Sequence, residues 1–301
     1  MSSPPSSPPS SPPSASLVFV VSGASRGLGY EIVRAALHAG HRVVAGARGR
    51  SALDVLSAEY AGRLAVVPLD VTDSQAAQAA VDTAVDRFGR LDVVVNNAGY
   101  ANISAIEDVD FEDFRAQVDA NFFGVVRLTR AALPVMRDQR GGRIIQISSV
   151  GGRLATAGLA AYQSAKWAVG GFSCVLAAEV APLGIRVTVL EPGGMRTDWA
   201  GSSMHIDPIR PEYAETVGRM AALHDGQTTA ASDPAKVARL VLNVVALDDP
   251  PLRLLVGADA YAYATAAGRT LLAEDERWRH LSVSTTADDA SAEQLDPLGH
   301  R

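Results

Sequence analysis

From Leu17 to Gly257, short apolar runs rich in Val, Ile and Leu alternate with longer Ala-rich amphipathic segments. Near-continuous apolar runs suit a parallel sheet covered on both faces, and their alternation with helix-length segments is βαβ periodicity. The pattern predicts strands at Leu17–Val21, Arg42–Ala47, Leu64–Pro68, Leu91–Asn96, Arg143–Ser148, Arg186–Leu190 and Leu254–Val256. Helices are predicted at about 27–39, 51–60, 74–88, 111–138, 161–181 and 234–247, with Pro134 expected to kink the fourth or shorten its last turns. Seven such strands with intervening helices make one doubly wound α/β domain over residues 17–257, whose ligand belongs at the carboxyl ends of the strands.

Residues 198–230 interrupt this rhythm with Gly201, Ser202, Ser203, Pro208 and Pro211, and they predict an inserted binding lid. Residues 258–301 form a C-terminal extension, Ala-rich, then charged, and expected to be loose from about Ser282. Residues 1–16 repeat Ser-Ser-Pro-Pro three times and cannot bury apolar surface, which predicts a disordered tail without the apolar core of a signal peptide.

Composition narrows the function. Of 301 residues 48% are hydrophobic and the net charge is −6, so there is no basic footprint for nucleic acid. The longest apolar stretch, Ala160 to Ala181, contains Lys166 and Glu179, which argues against a membrane span. The single cysteine, Cys174, cannot form an intrachain disulfide, which points to a reducing, cytoplasmic setting, and its apolar neighbours predict a small core residue.

After the first strand comes Ser22-Gly23-Ala24-Ser25-Arg26-Gly27-Leu28-Gly29, opening straight into a helix. Glycines there let the backbone approach a pyrophosphate at the helix N-terminus, where free N–H groups favour negative charge. At the end of the second strand, where a carboxylate would select a ribose 2′-hydroxyl, the chain reads Ala47-Arg48. Arg48, helped by Arg26, suits a 2′-phosphate, so NADP(H) is expected over NAD(H).

Tyr162 and Lys166 stand four apart on one helix face. Only Lys166 and Lys236 are lysines among 27 basic residues, so the pairing is expected by chance only about 0.05 times. Such a position calls for a compact ammonium rather than a guanidinium fork. Ser148 and Ser149 follow the fifth strand at the ligand end of the sheet, and the residues alone do not choose between them.

Gly23-x-x-x-Gly27-x-Gly29, Asp70, Asn96-Asn97-Ala98-Gly99, Asn121, Ser149, Tyr162-x-x-x-Lys166 and Pro192-Gly193-x-x-x-Thr197 together resemble the short-chain dehydrogenase/reductase family over residues 17–257. Ser22 stands where the family usually has Thr, which keeps the hydroxyl. The resemblance implies a Rossmann fold and an oxidoreductase interconverting a carbonyl and an alcohol. It implies Tyr162 as general acid/base, Lys166 lowering the phenol's pKa and binding the nicotinamide ribose, Ser149 holding the substrate oxygen, and Asn121 anchoring a proton-relay water. It also implies Asp70 and Val71 beside the adenine, Asn97, Ala98 and Gly99 along the cofactor, and Pro192, Gly193 and Thr197 at the nicotinamide. Assembly into homodimers or homotetramers through the fourth and fifth long helices is implied as well.

The other chemistry-bearing residues suggest less. The six histidines show no metal-ligand spacing, so no metal is expected, and His205 reads as a solvated loop residue. Trp199, Met204 and Tyr213 in the insertion are candidates either for a substrate wall or for packing of the lid onto the core. A dinucleotide-binding sensor without chemistry is the rival reading, weakened by the complete Asn121, Ser149, Tyr162 and Lys166 set. The substrate is left at a small or medium apolar carbonyl.

Overall fold

The computed structural model describes residues 16–49, 51–197, 204–225 and 230–299. The expectation for residues 1–15, and that for Trp199, lie outside these residues. The strands are β1 (Val18–Ser22), β2 (Arg42–Ala47), β3 (Leu64–Pro68), β4 (Val93–Asn96), β5 (Gly142–Ile147), β6 (Ile185–Pro192) and β7 (Arg253–Val256). They form one seven-stranded parallel sheet in the order β3-β2-β1-β4-β5-β6-β7.

The helices are α1 (Gly27–His38), α2 (Asp54–Glu59), α3 (Ser74–Phe88), α4 (Phe111–Val118), α5 (Gly124–Gln139), α6 (Ala160–Val180), α7 (Arg219–Asp225), α8 (Pro234–Ala246), α9 (Ala258–Val283) and α10 (Ala292–Leu295). Alternation along each strand divides the core in two, because successive side chains point to opposite faces. Phe19, Val21, Val43, Val93 and Ile145 face α1 and α8, where Ile32, Leu37, Val241 and Val244 close the layer. Val18, Val20, Val44, Val94 and Ile144 face the opposite layer, built from Val81, Leu128, Met136 and Leu176 of α3, α5 and α6.

Side-chain caps fix the helix starts. Asp73, Asp110 and Asp233 each accept a backbone N–H at the head of α3, α4 and α8. Strand order reverses between β1 and β4, which opens the crevice at their carboxyl ends where a doubly wound sheet binds its ligand.

Four expectations need correction. The single helix read over 111–138 is interrupted by a π-helical turn at Asp119–Phe123, whose extra residue per turn turns Asn121 wholly inward. Of the two outcomes expected of Pro134, a kink or a shortened end, the shortening is not seen: α5 runs on to Gln139. Cys174 is exposed, because α6 buries the face carrying Val169, Gly170, Ser173 and Leu176 and turns residue 174 outward. The stretch from Ser282 carries regular structure while remaining exposed: α9 reaches Val283, and α10 follows behind a capping box of Ser291 and Gln294.

The insertion between β6 and α8 is stitched down at two isolated bridges, Ile103 with Ile206 and Met195 with Ser232. Met204, Ile206, Ile209 and Tyr213 pack on a small cluster of Ile103, Leu159, Tyr162, Val217 and Ala221. Of the two readings held for Met204 and Tyr213, lid packing is the observed one.

Candidate active site

The crevice is a cleft of about 1160 Å³, and every candidate site residue except Gly29 lines it. Its volume exceeds the roughly 300–1,000 Å³ of pockets for a drug-sized molecule, leaving room for a dinucleotide and a small second ligand.

At one end, the turn from β1 into α1 is held by polar side chains from the turn after β4. Ser22 Oγ accepts from the backbone N–H groups of Asn97 and Ala98 at 3.0 and 3.1 Å. Asn97 Nδ2 donates back to the carbonyls of Ser22 and Gly23 at 3.0 and 3.2 Å. Gly29 stands behind this loop, where a Cβ would collide with the Gly23 carbonyl and Asn97 Nδ2, so it shapes the loop without lining the cleft. Ser22 is thus a clamp on the glycine turn, a role its position in the motif did not disclose.

Arg26 precedes α1, and Arg48 follows β2 at the exposed rim, so both guanidinium groups border the same end of the cleft. Asp70 Oδ1 accepts from Thr72 N and Oγ1 at 2.9 and 2.8 Å, closing the turn after β3. Those two hydrogen bonds hold its carboxyl below the usual range, with Arg48 and Arg127 adding smaller contributions. Val71, next to it, packs against Gly124.

At the other end, the first turns of α6 bring Tyr162 and Lys166 inward together, both buried. The two serines after β5 separate clearly. Ser148 is buried and its Oγ donates to the Lys166 carbonyl at 3.3 Å, docking β5 on α6. Ser149 accepts from Gly151 N at 3.0 Å and shares a hydrogen bond with Tyr162, so it is the hydroxyl that faces the cleft chemistry. Gln163 Oε1 accepts from Thr156 N at 2.8 Å and fixes the loop between them.

Lys166 Nζ donates to the Ile147 carbonyl at 3.0 Å and sits 5.5 Å from the centre of the Tyr162 ring. Burial pulls the ammonium down to about 8. The resemblance implies a phenol drawn down by this lysine, yet Tyr162 is pushed up to about 12, because desolvation outweighs the opposing hydrogen bond from Ser149. The phenol is therefore held as an acid in this environment.

Asn121 Nδ2 donates to the carbonyls of Tyr100 and Gln117, both at 2.8 Å, while its Oδ1 is buried without a hydrogen-bond partner among the described residues. Oδ1 and Lys166 Nζ both close over Gly99, where a Cβ would strike Oδ1. A buried orphan acceptor beside a buried ammonium is the arrangement an ordered water satisfies.

Two features that support the cleft-lining turn Pro192-Gly193-Gly194 carry no sequence signal. Glu191, the penultimate residue of β6, is wholly buried and takes Arg153 Nε at 2.7 Å and Arg253 Nε at 3.0 Å. It ties the turn after Ser149 to β7 immediately before Pro192-Gly193. Asp259 Oδ2, in the first turn of α9, accepts from Gly194 N at 2.7 Å, so the C-terminal helix reaches the cleft across the boundary set at Gly257. Thr197 lies beside Gly27 with its N–H on the Met195 carbonyl at 2.8 Å. The outer wall is apolar and comes from Tyr100, Met195, Met220 and Leu223, residues the pattern of the chain did not single out. Among the described residues no three His, Cys, Asp or Glu side chains gather as metal ligands, and His205 faces solvent beside Asp207.

The comparison with known proteins agrees with this architecture. Residues 17–206 match the family described as short chain dehydrogenase. The chain belongs to the short-chain dehydrogenase/reductase family and is an oxidoreductase of that class. It is 52% identical over 270 residues to Oxidoreductase BOA17 of Botryotinia fuckeliana, covering 89% of this chain and 98% of that one. Among solved structures it is similar to a short-chain dehydrogenase from Streptomyces avermitilis, with TM-score 0.86 and 38% identity over 91% of this chain and 99% of the other. An alcohol dehydrogenase from the archaeon Thermococcus sibiricus complexed with 5-hydroxy-NADP superposes with TM-score 0.67 and 26% identity, covering 80% and 95%.

Proposed function

We propose that this chain is an NADP(H)-dependent reductase interconverting a ketone or aldehyde and the corresponding alcohol. The observation that carries the reading is the convergence of Asn121, Ser149, Tyr162 and Lys166 at one end of a cleft whose other end is bordered by Arg26 and Arg48.

The residues along the cleft fit a dinucleotide. The N–H groups at the head of α1 suit the pyrophosphate, and Arg48 suits a 2′-phosphate, since Ala47 leaves no carboxylate at the end of β2 to repel it. The NADP analogue bound by the Thermococcus sibiricus relative is consistent with this preference. Asp70, Val71, Asn97, Ala98 and Gly99 line the cleft and suit contacts along the adenine and ribose, while Pro192, Gly193 and Thr197, which line it too, suit the nicotinamide. Bound nicotinamide supplies the hydride.

The chain's own groups manage the oxygen and the proton. Ser149 donates to the carbonyl oxygen where negative charge develops. Tyr162, held as a neutral phenol, delivers its proton to that oxygen as it becomes an alkoxide. Lys166 stabilises the phenolate left behind, and its proton is resupplied through a water held against Asn121 Oδ1. The insertion packed on Tyr162 excludes bulk water from the proton transfer. Met195, Met220, Leu223 and Tyr100 set a small or medium apolar substrate.

The same reading takes residues 17–257 as the catalytic domain, places the enzyme in the cytoplasm, and assembles it as a homodimer or homotetramer. Exposed Phe123, Trp167 and Val175 on the long helices support that assembly. The test is loss of NADPH absorbance with a panel of ketones, aldehydes and keto-esters graded by size. Turnover that falls with bulk beyond the apolar wall supports the reading; reduction of none of them, with NADPH bound, contradicts it.

A further inference from the structure

Between β4 and the insertion, three polar side chains that belong to none of the motifs form one continuous chain of hydrogen bonds. Asn102 Oδ1 accepts from His205 N at 3.0 Å, and Asn102 Nδ2 donates to Asp113 Oδ1 at 2.8 Å. Asp113 Oδ2 accepts from Gln117 Nε2 at 2.8 Å, and Gln117 Oε1, buried in the last turn of α4, accepts from Asn102 N at 3.0 Å. Both ends of this chain are backbone N–H donors. Three amides in a row would therefore leave two donors face to face somewhere, and one group that only accepts is required. Asp113 is that group.

The chain of bonds meets the site on two sides. The carbonyls of Gln117 and Tyr100 are the ones that hold Asn121 Nδ2. On the other side, Ile103 N donates to the His205 carbonyl at 2.8 Å, and the Ile103 carbonyl accepts from Asp207 N at 2.9 Å. From this seat the insertion continues to Val217 and Ala221, packed in the cluster with Ile103 and Tyr162, and to Met220 and Leu223 of the apolar wall. The backbone bonds of Ile103 form with any side chain there. The bond from His205 needs an acceptor at 102 whose other end satisfies Asp113.

We propose that Asn102 is a positioning residue for the carbonyl substrate, setting Met220 and Leu223 against Tyr162 by pinning the insertion to α4. Asn102 does not line the cleft, so it acts through the insertion and leaves the cofactor end untouched. The proposal rests on the carbonyl-reductase reading of the cleft.

The donor and acceptor pattern supplies the test. Asn102→Asp sets two carboxylates against each other, and Asp113→Asn creates the facing pair of donors. Made together they keep every bond: the carboxylate at 102 accepts from His205 N and from the amide at 113, whose oxygen still accepts from Gln117 Nε2. Asn102→Ala removes both side-chain bonds without adding a clash. The readouts are hydrogen–deuterium exchange over residues 204–221, NADPH affinity by fluorescence titration, and steady-state rates with the panel carbonyl that the wild type reduces fastest. Each single variant is expected to speed exchange and raise carbonyl KM by about tenfold, the worth of a lost hydrogen bond to a charged group. NADPH affinity is expected to stay within about twofold, which shows the singles to be folded, and the double variant to return to wild-type behaviour. A merely structural joint would lower the melting temperature and leave carbonyl KM unmoved, which overturns the inference. Unchanged exchange in all three singles, or a double variant no better than they are, overturns it too. Wild-type chain that binds NADPH and reduces no carbonyl overturns the underlying reading and the substrate role with it, a failure seen before any variant is made.

Discussion

Ser148 Oγ donates to the Lys166 carbonyl at 3.3 Å, while the adjacent Ser149 shares its hydroxyl with Tyr162. Neighbours in sequence thus serve the scaffold and the chemistry respectively, and their alanine variants should part. Ser148→Ala is expected to lower stability by about 1 kcal/mol, the net worth of one hydrogen bond, with kcat nearly kept. Ser149→Ala is expected to leave the melting temperature almost unchanged and to cut kcat by about 10²–10³. Denaturant melts and steady-state rates on the two proteins read this directly.

The buried pair on α6 makes pH an informative variable. Lys166 titrates near 8 in the fold and near its ordinary 10.5 in the unfolded chain. Between those values the unfolded state holds a proton that the folded state has released, so stability is expected to rise as pH climbs from 8 to 10. The rise is on the order of 3 kcal/mol at 1.36 kcal/mol per pKa unit, and Lys166→Met should abolish it. For reduction, kcat/KM is expected to be level below pH 8 and to fall above it as the ammonium is lost, with Tyr162 protonated throughout. A rate that stays level to pH 10 would contradict this.

Cofactor choice rests on the rim of the cleft. Arg48→Ala is expected to raise KM for NADPH by about 10- to 100-fold, the value of a charge-assisted hydrogen bond, and to leave KM for NADH within about twofold. Adding Ala47→Asp is expected to reverse the preference. Equal effects on both cofactors would remove Arg48 from 2′-phosphate recognition.

Glu191 should behave as a hub. Removing its carboxylate leaves Arg153 and Arg253 facing each other below the Pro192-Gly193 turn, and breaking a buried pair costs about 3–5 kcal/mol. With both arginines roughly a third exposed, at 32% and 29%, the lower end is expected for Glu191→Ala. Glu191→Gln retains an acceptor and should lose less, a difference that chemical denaturation resolves.

Much of this was legible where a short stretch of chain fixes the structure. The β1 run, the glycine turn into α1 and the Tyr162/Lys166 spacing are local patterns, and each sits where the pattern put it. What the pattern lacked depends on partners far apart in sequence. Glu191 meets arginines 38 and 62 residues away, and Asp259 reaches Gly194 across 65. The choice between Ser148 and Ser149 waits on where α6 docks. The π-helical turn that buries Asn121 obeys neither the 3.6- nor the 2-residue period, so a periodic reading of residues 111–138 passes over it. The extended α9 was missed for a related reason: with no body to bury against, its apolar positions look scattered among charges.

The central claim is proton transfer by Tyr162, and Tyr162→Phe tests it most directly. The substitution removes one hydroxyl and keeps the ring packed against Ile103 and Leu159. The account predicts NADPH binding within about twofold of wild type and carbonyl reduction lowered by at least about 10²-fold, the scale of general acid catalysis. Turnover retained at the wild-type rate with the cofactor bound would contradict it.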